Sequence, residues 1–486
     1  MWLMVVLFGL PLGCIEVSGA SPPGLRMLAP MVRSGGMIEL SVSSDDGAVL
    51  TEGRSPGIIF FGTTNLWLAP NEWTGVEGAR TLLNGVLRLE YRPTFSSGSS
   101  WFFIARETVF LPAVTVRNAA ELRAAVASAK PGARILMARG TYPGGFFFNN
   151  VRGGANSPIL IAAADPDNPP VIQGGSNGMQ FSDPEWVELQ DLSFTSATGN
   201  GLNIDDGGSF ETPARHLVLR RLRILDVGPQ GNRDGIKLSG VVDFRVESCV
   251  VERWGTGGSA IDMVGCHRGV IESNSFVHTA AAESGGANGV QTKGGSRDIV
   301  IRRNRFDNAG ARGVNIGGST GLEFFRPPLP GAGERWEAKD IRVEGNTFIG
   351  CTAPVAFVGV DGAVVRFNTI YRPTRWAIRI LQETTSTGFV PCRLGRFTDN
   401  IIAFHSTQWS AGGVNIGPNT SPSTFAFSRN WWYCLDAPAR SRPSLPVTEA
   451  GGVQGVSPQF RDEASGDLRL LSGSPAREFG AEALPE

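Results

Sequence analysis

At 486 residues, with 41% hydrophobic and 18% charged composition, the chain is long enough to bury a large core, and its 63 glycines and 31 prolines fit a protein of many turns. Forty-four basic against 45 acidic residues, a formal charge of −1, leave no bulk field to attract DNA or RNA. Any acidic ligand must be met by a local cluster of cations.

Residues 1–20 carry an apolar run over 2–12 and then Ser18-Gly19-Ala20, a small-x-small cleavage pattern, and are read as a signal peptide for a secreted or periplasmic protein. No basic residue precedes Arg26, and Pro11 is a poor fit to a lipoprotein signal ending at Cys14, so a lipid anchor is the lesser expectation. The run is too short for a transmembrane segment. Residues 21–113 hold Gly/Ser-rich patches, the aromatic clusters Phe60-Phe61 and Trp101-Phe102-Phe103, and no sustained alternation. A poorly ordered leader is expected there in preference to a small β-rich appendage.

Asn118, with Glu121 three positions on, is a capping-box start for a helix that ends near Lys130-Pro131-Gly132. Residues 201–417 then repeat a small, apolar, polar, apolar pattern at variable spacing. The copies are centred on Leu202-Asn203-Ile204, Ile236-Lys237-Leu238, Ile261-Asp262-Met263, Val290-Gln291-Thr292, Val314-Asn315-Ile316, Val355-Ala356-Phe357, Ile378-Arg379-Ile380 and Val414-Asn415-Ile416. A constant core with loops of varying length predicts a solenoid in which every coil buries the same inward residues. A second ladder, Asn274, Asn304, Asn346, Asn368, Asn400 and Asn430, predicts an internal stack of side-chain amides, with Leu192, Leu222 and Cys249 in its place in earlier coils.

Short Val/Ile-rich strands joined by a recurring Asn turn resemble the right-handed parallel β-helix of the pectin-lyase-like superfamily, which includes pectate, alginate and chondroitin lyases. The fold class this implies is all-β, a single right-handed parallel β-helix over residues 114–475 with a short N-terminal capping helix and a tail at 476–486. Insertions at 317–336 and 382–391 should project as loops, and 455–475 should cover the last edge.

Alternation places Asn203, Lys237, Asp262, Gln291, Asn315, Ala356, Arg379 and Asn415 in one outward column, beside Asp205, Ser239, Val264, Lys293 and Gly317 in the next. Gly289, Gly294, Gly295, Gly313, Gly317 and Gly318 are expected to bare the backbone for a chain of sugar rings. The resemblance implies a lyase that cleaves an acidic polysaccharide by β-elimination, with Lys293 or Lys237 as base, Gln291 and Asn315 as donors, and Arg312 or Arg379 as counter-cations. Lys293 is preferred because the columns give it no carboxylate neighbour, whereas Lys237 faces Asp262. The Arg-His pair that alginate and chondroitin lyases place one coil after the catalytic Lys is absent here, Asn315-Ile316-Gly317 standing there instead.

Asp205, Asp206 and Asp234 are candidate Ca²⁺ ligands, like those of some pectate lyases. Asp234 with Asp262 is the pair a glycoside hydrolase would use. A non-catalytic sugar-binding surface is the third reading. His216, His267, His278 and His405 fall off the columns and are read as surface or loop residues. Of the cysteines, Cys392 and Cys434 are disulfide candidates, Cys249 and Cys351 are core residues, and no CxxC pair suggests zinc. A monomer with a polysaccharide partner is expected.

Overall fold

Period-2 alternation in strands of three to seven residues cannot bury an apolar face alone, but it does so when successive coils stack. The computed structural model describes residues 109–485 except 229–230, 279–287, 330 and 332, and ahead of them 4–6, 25–32, 37–44, 49–50, 58–63, 74–76, 79–84, 86–91 and 101–107. Most of residues 1–20, where an export signal is expected, therefore lies outside the described residues. Three parallel sheets of 12, 12 and 10 strands wind around one core, each strand pairing with its counterpart in the next coil. The chain is a parallel β-helix from Val114–Val116 to Val453–Gln454. Among the described residues no helix is long and apolar enough to cross a membrane.

The helix Ala119–Ala127 begins as the capping signal requires. Asn118 accepts the Glu121 amide at 2.9 Å, and Glu121 accepts the Arg117 amide at 2.7 Å. It buries Leu122 and Val126 over the first coils, which would otherwise leave Val116 and Ile135 open to water.

The amide stack is continuous. The backbone amide and Nδ2 of Asn274 both donate to Asn304 Oδ1 at 2.9 Å, and the same pairing links Asn304 to Asn346, Asn346 to Asn368, Asn368 to Asn400 and Asn400 to Asn430. Asn430 ends it on Glu449. Each link satisfies buried groups that would cost about 1–3 kcal/mol apiece if orphaned.

Several expectations are corrected. Ahead of the helix, two four-stranded antiparallel sheets, seven of their strands from residues 21–113 and one from Met4–Val6, bury Leu40, Val42, Phe60, Leu89 and Phe103 together, so a β-rich appendage stands where a leader was expected. Its strands are only three to eight residues long, so no alternation persists along the segment. All five of the cysteines from Cys249 to Cys434 are buried and free, so Cys392 and Cys434 do not pair. His267 and His278 are buried rather than superficial. Residues 455–484 do not close the end. They run back along a flank, packing Phe460, Leu468, Leu470 and Phe479 against Tyr371, Ile401 and Trp431.

Candidate active site

The ten-stranded sheet carries the repeats found in the sequence, in the expected register. Asn203 pairs with Lys237, Lys237 with Asp262, Asp262 with Gln291, Gln291 with Asn315, Asn315 with Ala356, Ala356 with Arg379 and Arg379 with Asn415. The intervening Leu202, Ile236, Ile261, Val290, Val314 and Ile378 are buried in the core, so the column faces outward. Two more coils extend it at its start, through Phe146–Asn149 and Met179–Ser182, and add Gln180.

A companion column of polar residues stands three residues earlier in five of the coils. Asn177 donates to Gln180 at 3.1 Å, Asn200 to Asn203 at 3.3 Å, Asn288 to Gln291 at 2.7 Å and Arg312 to Asn315 at 2.9 Å. Asp234 takes this position before Lys237, 3.8 Å from its Nζ. Polar residues at a constant offset of three were a legible signal that the column reading passed over.

Charge concentrates in the middle coils. Lys237 Nζ bonds to Asp262 Oδ2, and Lys293 Nζ lies 3.5 Å from the same oxygen. Lys293 therefore does have a carboxylate neighbour. Its rung partner is Val264, as expected, but a long side chain reaches diagonally to the preceding coil, which a column of Cα positions does not show. Asp262 is 1% exposed, and its Oδ1 has no hydrogen-bond partner among the described residues. Burial pulls the Lys237 ammonium down, but the charges of Asp262 and Asp234 outweigh it and raise its pKa. Burial, reinforced by Asp262, pushes the Asp234 carboxyl up to about 7.

Lys293, Arg312 and Arg379 line a cleft of about 290 Å³ with Asn288, Gln291, Asn315, Ser319 and Glu383. Burial, then the nearby Arg312, lowers the Arg379 pKa. Its guanidinium donates to Asn415 Oδ1 at 3.0 Å and lies 4.9 Å from the Trp376 ring centre. Glu383 and Ser319 come from the two insertions and were not found in the sequence.

Glu337, fully buried and also missed, ties those insertions down. Its carboxylate accepts the Gly294 amide at 2.9 Å, the Thr320 amide at 3.0 Å and hydroxyl at 2.8 Å, and the Thr384 hydroxyl.

The three acids offered for calcium do not converge. Asp205 is occupied by Gln180, Ser182, Asn203 and the Gly207 amide, and Asp206 by Arg326 Nε at 2.8 Å. Asp234 accepts the Ser259 amide at 2.7 Å in a turn ladder that runs through Asn177 and Asn200. Among the described residues no three His, Cys, Asp or Glu side chains group as a metal set.

Two glycines also serve otherwise than expected. A Cβ on Gly289 would meet Phe306 at 2.8 Å and one on Gly313 would meet Phe348 at 2.8 Å, so both face the core beneath the stacked phenyl rings. Gly318 does lie over the column, where a Cβ would meet Gln291 Nε2 at 2.9 Å.

Residues 177–327 match the family model described as right handed beta helix region. None of the curated proteins matches the sequence. Among solved structures the chain is similar to an alginate lyase from Paenibacillus sp. str. FPU-7, at 17% identity and a TM-score of 0.45, over 62% of this chain and 99% of that one. It is also similar to the PL6 family alginate lyase AlyGC, at 13% identity and 0.42, over 76% of this chain and 56% of that one. A GH136 lacto-N-biosidase from Eubacterium ramulus aligns at 15% identity and 0.42, over 67% and 62%. The chain thus spans less than two thirds of the latter two. These likenesses assign no residue a role; the strand pairing and the family model together make the chain a right-handed parallel β-helix.

Proposed function

We propose that the protein is a polysaccharide-active enzyme that cleaves a uronic-acid-containing chain by β-elimination. The observation that carries this reading is the convergence of Lys293, Arg312 and Arg379 on one cleft of a protein whose formal charge is only −1. Such a cleft suits a carboxylate on a sugar, because the guanidinium forks of Arg312 and Arg379 neutralise the charge that grows as the α-proton leaves.

Lys237, with its raised pKa between Asp262 and Asp234, stays an ammonium and holds Asp262. Lys293, which lines the cleft, is then the residue for proton abstraction, with Arg312 and Arg379 on the substrate carboxylate. The α-proton passes to the free amine of Lys293 and on to the departing glycosidic oxygen, the bond from the β-carbon to that oxygen breaks, and a double bond is left in the new non-reducing end. The export signal read in residues 1–20 fits an enzyme that meets such polymers outside the cytoplasm.

Hydrolysis by Asp234 and Asp262 is the second reading, favoured by the Asp234 carboxyl at about 7. Against it, the two acids are 2% and 1% exposed with Lys237 between them, which leaves neither open to a glycosidic oxygen. Incubation with alginate, pectate, glycosaminoglycan and neutral glycans distinguishes the readings. Elimination gives ultraviolet absorbance with new chain ends; reducing ends without absorbance would replace it with hydrolysis, and binding with neither would leave a sugar-binding surface.

A further inference from the structure

Arg312 already holds a carboxylate. Its guanidinium donates to Glu383 Oε1 at 2.6 Å as well as to Asn315, so the cleft contains an acid of the protein's own among its cations. Glu383 arrives from the insertion at 382–391, and the residues on both sides of it are rooted. Gln382 donates to the Thr384 carbonyl at 2.7 Å and accepts the Cys392 amide at 2.7 Å, while the Thr384 hydroxyl is held by the buried Glu337. The backbone thus fixes where this carboxylate stands.

The side chain itself is loosely held. It is 34% exposed, and a screened pair of this kind contributes little to stability. A carboxylate placed by a rooted turn yet weakly bound is one that another carboxylate displaces at small cost.

We propose that Glu383 is an internal competitor, occupying on Arg312 the position that the carboxylate of a uronic-acid ligand takes. Binding is then an exchange of one carboxylate for another. An acidic ligand offsets the release of Glu383 by replacing it on Arg312, whereas a neutral sugar chain that displaced it would leave the guanidinium with Asn315 but no carboxylate, so the residue sets the cleft's preference for acidic chains. This rests on the reading of the cleft as an acidic-sugar site.

The test is calorimetric titration of the full-length wild type and Glu383→Gln at low salt, with trigalacturonate, a trimer of mannuronate and neutral cellotriose as probes. Glu383→Gln should bind a uronate trimer about 2- to 5-fold tighter, the range of an exposed ion pair, with no gain for cellotriose. Adding Arg312→Gln should remove that gain. Equal or weaker uronate binding by Glu383→Gln overturns the proposal, as does the absence of uronate binding by both proteins. Tighter binding without turnover of any polymer would retain the competitor and discard the lyase; turnover without tighter binding would do the reverse.

Discussion

Lys237 and Lys293 bear on a single oxygen, Asp262 Oδ2, from the coils on either side of it. One carboxylate therefore serves two lysines, and they differ in what else they touch. Lys237 has Asp234 as a second acid; Lys293 has the cleft.

Their replacements should separate. Lys293→Ala should lower turnover about 10²–10⁴-fold, the usual contribution of a proton-transfer group, with melting temperature nearly unchanged. Lys237→Ala should cost about 2 kcal/mol of stability, less than the ~3–5 kcal/mol of an orphaned buried ion, because Lys293 still faces Asp262. Kinetics with thermal melts on both variants check this, and full activity in Lys293→Ala would remove Lys293 from the proton-transfer role.

The buried Asp234 carboxyl predicts a pH signature. Its pKa is about 7 when folded against an ordinary 3.8, so between those values the folded state binds the extra proton. Its contribution to stability therefore falls as pH rises from about 4 to about 7 and is flat beyond. Asp234→Asn keeps an acceptor for the Ser259 amide and carries no charge. Relative to wild type it should gain roughly 1–3 kcal/mol at pH 8 and little at pH 4, measured by urea unfolding across that range. A constant difference at all pH values would show that Asp234 does not titrate there.

The amide stack can be shortened or lengthened. Asn346→Ala leaves the Asn304 backbone amide and Nδ2 without their shared acceptor and strips Asn368 Oδ1 of its side-chain donor, the backbone amide of residue 346 remaining, for an expected loss of about 3 kcal/mol. Cys249→Asn should be tolerated or gain up to about 1 kcal/mol. The partners are in place: Cys249 Sγ already accepts the Leu222 amide and donates to the Leu219 carbonyl, while Asn274 Oδ1 takes the Cys249 amide. Denaturant midpoints of the two variants read both effects.

Glu337→Ala should loosen the cleft wall without opening the solenoid. It releases Thr320, Thr384 and the Gly294 amide, so hydrogen exchange should quicken in 317–329 and 382–391 while the strands of the core remain protected. Unchanged exchange in both insertions would remove Glu337 from this role.

What the sequence determined was everything that depends on the coil as a unit. Alternation and stacking are local rules repeated at every turn, so reading Leu202, Ile236, Ile261 and Val290 as inward placed Asn203, Lys237, Asp262 and Gln291 outward in register, and the Asn ladder followed from its recurrence. What the tertiary structure alone decided depends on side-chain reach and on loop paths. Lys293 meets Asp262 because its side chain crosses diagonally between coils. Glu383 and Glu337 join the site because the two insertions fold back onto the column. Gly289 and Gly313, small in either setting, face phenyl rings and not a groove. Period-2 patterning specifies which face a residue takes, but not how far its side chain extends or where a loop between coils returns, and the chemistry of this cleft is assembled from those two things.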